Sequence, residues 1–133
     1  MSRKIPLILI IDDDATMYTI LSLAHPQYQF RWVDNGKDGL YAVTEFYRSA
    51  VSLVILDFEM PGMNGLVVLE EIRKTMPDLP IIMWSGNHGV KEKALAKGAT
   101  VFLEKPFEPG NLEMMLQDLL ETTSKTQSKE GGL

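Results

Sequence analysis

The sequence predicts an α/β domain, with one five-stranded parallel sheet and helices on both of its faces. Three observations carry that prediction. Short apolar runs alternate with helix-periodic stretches along the chain, the pattern of repeated strand–helix–strand units. Three of those runs are apolar almost throughout, as strands covered on both faces are. The chain has 133 residues, of which 45% are apolar and 23% charged, enough for one core in a single domain.

The elements follow in order. Leu7–Ile11 is an apolar run that stops at Asp12-Asp13-Asp14. A short helix over Ala15–Leu23 ends before Pro26, whose ring disfavours helix in the residue preceding it. Gln29–Asp34 mixes polar and apolar positions and reads as an edge strand. Asp38–Arg48 carries Leu40, Val43, Phe46 and Tyr47 at helical spacing. Leu53–Asp57 is a buried strand that ends on an acid and spills into the loop Phe58-Glu59-Met60-Pro61-Gly62-Met63-Asn64-Gly65. Gly65–Met76 sets Leu66, Leu69, Ile72 and Met76 on one stripe, with Glu70, Glu71, Arg73 and Lys74 toward solvent. Pro80–Ser85 is the fourth strand, and Lys91–Lys97 a short helix closed by Gly98. Thr100–Glu104 is the fifth strand and runs into Lys105-Pro106-Phe107. Pro109–Thr122 supplies Leu112, Met115, Leu116, Leu119 and Leu120 to a last helix. Residues 1–121 thus read as the domain, and residues 122–133 as a flexible tail or the start of a linker.

Composition narrows the function classes. There is no cysteine, which excludes a disulfide framework, a thiol nucleophile and a zinc–cysteine site, and suits a cytoplasmic location. Apolar stretches reach about seven residues, too short for a membrane span. Thirteen basic residues against eighteen acidic ones give a net charge of −5, with no basic run. Nucleic acid and membrane are therefore not expected partners of this domain; proteins are. His25 and His88 have no ligand-spaced companion, so a transition-metal site is not expected either.

Right-handed crossovers bring the C-terminal ends of parallel strands to one edge of a sheet, where ligands of open α/β sheets bind. Asp12, Asp13, Asp57, Ser85 and Lys105 all fall at or just past such ends. Each has an ordinary reading when taken singly. One acid of the Asp12–Asp14 cluster suffices to cap a helix, Asp57 could serve a turn, Ser85-Gly86-Asn87 is common loop chemistry, and a lone lysine is usually solvated. Adjacent acids repel by about 1 kcal/mol or more at surface dielectric, and a hard divalent cation removes that repulsion. Together the set suits Mg2+ and a phosphoryl group.

In that order and placement the chain resembles a response-regulator receiver domain of two-component signal transduction, over roughly residues 5–121. Asp12-Asp13 match the family's metal-binding acids, Asp57 and its Pro/Gly loop the phosphoacceptor, Ser85 the switch hydroxyl, and Lys105-Pro106-Phe107 the Lys-Pro-Phe element. The resemblance implies a flavodoxin-like strand order, 2-1-3-4-5, and a cis Lys105–Pro106 bond. It implies that Asp57 takes phosphate from a histidine kinase or phosphotransfer protein, with Lys105 contacting a phosphoryl oxygen. It implies Mg2+ held by Asp12, Asp13, Asp57 and the carbonyl of Glu59, and a chain that is no enzyme beyond its own phosphorylation and dephosphorylation. Ser85 and Phe102 would switch a protein-binding face formed by the fourth helix, fifth strand and fifth helix, with room for a homodimer. The sequence departs from the family's pattern in three ways. Ser85 and Lys105 stand 20 positions apart, which shortens the fourth helix or its leading loop; the first helix is short; and Phe102 replaces the commoner tyrosine.

Two rival functions bear weighing. Asp12-Asp13-Asp14-Ala15-Thr16 also fits the Asp-x-Asp-x-Thr motif of haloacid-dehalogenase-like phosphatases, with Asp12 as nucleophile and Asp14 as general acid. That reading lacks a later acidic pair, since only the helical Glu113, Asp118 and Glu121 follow Lys105, and it leaves Asp57 unexplained. The other rival is a receiver-like module that acts without phosphorylation. Every side chain that phosphorylation requires is nevertheless present.

Overall fold

The computed structural model describes residues 5–106 and 109–131. Its strands are β1 (Leu7–Ile11), β2 (Gln29–Val33), β3 (Val51–Asp57), β4 (Ile81–Ser85) and β5 (Val101–Glu104). All pair in parallel, in the order β2-β1-β3-β4-β5. The helices are α1 (Thr16–Ala24), α2 (Gly36–Tyr41), α3 (Gly65–Thr75), α4 (Lys91–Ala96) and α5 (Pro109–Gly131). The expected fold class and strand order are both present.

Side-chain alternation along the strands divides the interior in two. Ile8, Ile10, Leu53, Ile55, Ile82 and Trp84 pack with Leu21 of α1 and with Leu112 and Leu116 of α5. Leu9, Ile11, Val54, Leu56, Ile81 and Met83 pack with α2, α3 and α4 on the other face. Both layers are required because β1, β3 and β4 are buried at nearly every position. The edge strand β2 buries Phe30 and leaves its neighbours wetter, as its mixed composition predicts.

Helix boundaries follow local chemistry. Asn35 caps α2 by accepting from the Asp38 N–H at 2.8 Å, so this helix starts two residues before the sequence-based start at Asp38. It continues into a π-helical turn, Ala42–Phe46, where the Tyr47 N–H reaches the Ala42 carbonyl at 2.7 Å. Asn64 caps α3 through the Val67 N–H at 3.1 Å. The helix α4 has six residues and follows a 3-10 turn over His88–Val90, which is the expected shortening between Ser85 and Lys105. Gly98 closes it in the left-handed region, at φ 109°. The last helix runs to Gly131, past the Thr122 end expected from sequence, because no proline or glycine interrupts the segment between Gly110 and Gly131. Gly132 and Leu133 lie outside the described residues.

Candidate functional site: an acid cluster facing a lysine

The site is built where β1, β3 and β4 end. The buried run of β3 delivers Asp57 to the sheet edge with a side chain only 4% exposed. The chain then turns back so tightly that Gly65 N–H donates to the Phe58 carbonyl at 2.9 Å. A Cβ on Gly65 would lie 2.4 Å from the Asp57 carbonyl oxygen, so glycine is what lets α3 start beneath the acid. Gly36, at the start of α2, has the same kind of fit: a Cβ there would lie 2.7 Å from the Met63 carbonyl oxygen.

From β1 come Asp12, buried, and Asp13, exposed; their carboxylates and that of Asp57 offer one oxygen each, all within 4.8 Å of one another. Asp12 is oriented from two sides. Its Oδ1 accepts from the Asp14 N–H at 2.9 Å, and its carbonyl accepts from the Trp32 indole N–H at 2.7 Å. Asp14 has a different occupation. Its Oδ1 accepts from both the N–H and the hydroxyl of Thr16, at 2.8 and 2.6 Å, so it serves the start of α1. The three acids thus divide two tasks: Asp14 closes the turn that leads into α1, whose N-cap position is Ala15, while Asp12 and Asp13 face Asp57.

Lys105 follows β5, past the intervening β4, and its Nζ donates to Asp57 Oδ1 at 2.9 Å. The Lys105–Pro106 bond is cis; Phe107 lies outside the described residues. Ser85 ends β4, is 1% exposed, and its Oγ accepts from the Asn87 N–H at 2.9 Å. A hydroxyl accepting in this way still has a proton to donate. Glu59 is exposed and lines the same cavity as Asp12, Asp13, Asp57 and Lys105. Phe102 is half-buried against the α2–α4 core.

Electrostatics distinguishes the acids. Burial pushes the Asp12 carboxyl up to about 6; Asp57 and Asp13 add repulsion, while the Asp14 N–H and Lys105 oppose the rise. Burial also raises Asp57, against the hydrogen bond and charge of Lys105. The two Thr16 hydrogen bonds lower Asp14. That is the wrong direction for a general acid and counts against the phosphatase reading. Glu113, Asp118 and Glu121, the later acids of that reading, are exposed on α5.

Sequence reasoning missed two features. The cavity, of about 630 Å³, continues away from the acids along Met17, Ile20, Leu21 and Ala24 of α1, with His25 and Leu112. Trp84 is in the core and also lies under Lys105, with the ring centroid 5.1 Å from Nζ. Its position directly before Ser85 was the available signal. His88 pairs with Glu104 at 2.9 Å, and Asn87 caps its own turn through the Gly89 N–H.

The response regulator receiver domain family matches residues 8–117. The chain belongs to that family. A protein of Arabidopsis thaliana named as a two-component response regulator is 32% identical over 123 residues, covering 91% of this chain and 20% of that protein. Among solved structures, the receiver domain of NtrX from Brucella abortus has a TM-score of 0.75 at 32% identity, covering 86% of this chain and 98% of that one. Chemotaxis protein CheY4 of Vibrio cholerae has a TM-score of 0.75 at 26% identity, covering 87% and 99%. The chain spans between 20% and 53% of the length of the curated relatives it matches. Among the described residues, no helix of this receiver domain is long and apolar enough to cross a membrane.

Proposed function

We propose that this receiver domain accepts a phosphoryl group on Asp57 from a phosphohistidine of a histidine kinase or phosphotransfer protein. The observation that carries the reading is the 2.9 Å contact between Lys105 Nζ and the buried Asp57 carboxylate, beside Asp12 and Asp13. An Asp57 oxygen attacks phosphorus and the P–N bond to the donor imidazole breaks. The electron pair returns to that nitrogen, which takes a proton from solvent, and an acyl phosphate remains on Asp57.

Phosphoryl transfer asks mainly for positioning and charge stabilisation. Lys105 supplies a fixed positive charge to a phosphoryl oxygen. The donor set of hard oxygens fits Mg2+, which Asp13, Asp57 and the Glu59 carbonyl would hold directly and Asp12 through water. When bound, the ion supplies positive charge against the phosphoryl oxygens. The acids alone would repel the incoming phosphate, so the fit between donor set and cation is part of the reading.

Ser85 donates its hydroxyl to the phosphoryl group, and Phe102 moves inward behind it. The shift of population alters the face made by α4, β5 and α5, where an output protein or domain, or a second copy, binds. The domain transfers phosphate only to itself and returns it to water. Glu59 and Asn87 tune that return by placing or repelling water. The reading takes the domain to act in the cytoplasm, where histidine kinases present their phosphohistidine.

The test is incubation with acetyl phosphate and Mg2+ followed by mass spectrometry. A hydroxylamine-sensitive phosphoryl adduct on Asp57, absent from Asp57→Ala, is expected. No adduct on the wild-type chain, or one that persists in Asp57→Ala, overturns the assignment.

A further inference from the structure

We infer that Trp84 is a positioning residue for phosphoryl transfer, its indole face holding the ammonium of Lys105 where a phosphoryl oxygen arrives. The inference rests on the phosphoacceptor reading and adds a residue to it. Asp57 ends β3 and Lys105 follows β5, so their ion pair must pass over the end of β4, which lies between them. Trp84 is the residue of β4 opposite Asp57, and its carbonyl accepts from the Phe58 N–H at 3.1 Å. The next residue, Ser85, fixes Lys105 in turn by accepting its N–H at 2.9 Å. Alternation along β4 turns the Trp84 ring to the face of α1 and α5, where it is fully buried.

The ammonium therefore has an acid on one side and an aromatic face on another, at 2.9 Å and 5.1 Å. Tryptophan gives the strongest such attraction, and it strengthens where water is excluded. Two anchors matter because lysine is a flexible stem with a point charge at its end. The Asp57 anchor also changes during the reaction, since one carboxylate oxygen becomes the bridging oxygen of a mixed anhydride and the negative charge moves to the phosphoryl oxygens. The ring does not change. It keeps Nζ at the site before, during and after transfer, and an aliphatic residue of similar bulk offers no such attraction.

The test is the initial rate of labelling by phosphoramidate at saturating Mg2+, with Mg2+ affinity measured separately by calorimetry. Trp84→Leu is expected to slow labelling about tenfold, and Trp84→Phe, which keeps a weaker ring face, about threefold. Neither change is expected to move Mg2+ affinity by more than about twofold. In a Lys105→Ala background the same substitutions are expected to cost under about twofold, because the ammonium they act through is gone. If Trp84→Leu does not fold, Trp84→Phe carries the same comparison in the two backgrounds. Equal losses with and without Lys105 would assign Trp84 a merely structural role, and no loss with Lys105 present would end the proposal outright. Both outcomes leave Asp57 labelling intact in the wild-type chain. Failure of that labelling instead removes the site assignment, and the proposal with it.

Discussion

Asp12 is where the chemistry of the site and the stability of the chain pull against each other. Its carboxyl is buried beside Asp57 and titrates near 6, above its ordinary value of 3.8. Between those values the folded chain holds a proton that the unfolded chain has released. Stability of the metal-free domain therefore falls as pH rises from about 4 through 6. Urea melts with chelator present should show this slope, and Asp12→Asn should reduce it to the part that Asp57, also raised by burial, contributes. An asparagine Oδ1 can keep the hydrogen bond from Asp14 N–H, so Asp12→Asn should stabilise the metal-free chain by about 1–2 kcal/mol at pH 7.5. An unchanged slope in Asp12→Asn would mean that another group titrates. Gly65 makes the opposite case, a residue with no charge on which the site's geometry depends. Gly65→Ala places a Cβ 2.4 Å from the Asp57 carbonyl oxygen, so the loop must move. A loss of about 2 kcal/mol in urea melts is expected, with slower labelling of Asp57 by acetyl phosphate. Wild-type stability and rate in this variant would show that the loop yields freely.

At the scale of elements, Arg73 joins two helices that the sequence gives no reason to connect. From α3 its Nε–H donates to the Gly98 carbonyl after α4, at 2.7 Å, and Nη1 donates to the Met76 carbonyl at 2.9 Å. Burial lowers its pKa, but from a guanidinium's very high starting value, so it stays charged. Lys97 and Glu70 add a second link between the same helices. Arg73→Met should cost about 2 kcal/mol by leaving two carbonyls without a donor, while Lys97→Ala should cost under about 0.5 kcal/mol because that pair is exposed. Chemical denaturation of both variants checks the contrast, and equal costs would refute it. The sequence placed Arg73 on the solvent side of α3, as its helical position requires, because periodicity says nothing about a long side chain reaching 25 positions along the chain. Elements fixed by local rules were legible: β1 was bounded correctly by its apolar run and the acids after it. Asn35 obeys the same capping rule and starts α2 at Gly36, two residues ahead of Asp38. The π turn at Ala42–Phe46 has no sequence signal. In the site, Asp12, Asp13, Asp57, Ser85 and Lys105 were legible because strand ends converge by topology. The assignment of Asp14 to the turn before α1 and the seat of Lys105 on Trp84 were not, since both depend on side-chain direction.

At the scale of the molecule, the acid cluster exists only when the sheet is complete. Asp12 and Asp13 follow β1 and Asp57 ends β3, with a core on each face of the sheet fixing their separation. The unfolded chain scatters the same carboxylates and holds a divalent cation poorly. Any cation that needs all of them binds the folded state preferentially and stabilises it by mass action. At a concentration of 100 Kd the gain is about 2.7 kcal/mol, which for a chain of this size raises the melting temperature by about 5–15 °C. Screening of a net charge of −5 by added salt predicts a shift as well, so the two causes need separating. Asp13 separates them. It is exposed, so Asp13→Asn removes one candidate ligand and one charge at the surface. Thermal melts at pH 7.5 should show the full shift with MgCl2 in the wild-type chain and little with NaCl at matched ionic strength. Asp13→Asn should melt at or above the wild-type temperature without metal and respond weakly to MgCl2. If Asp13→Asn responds as fully as the wild-type chain, the ion is not held by this cluster, and the stabilisation belongs to the surface as a whole.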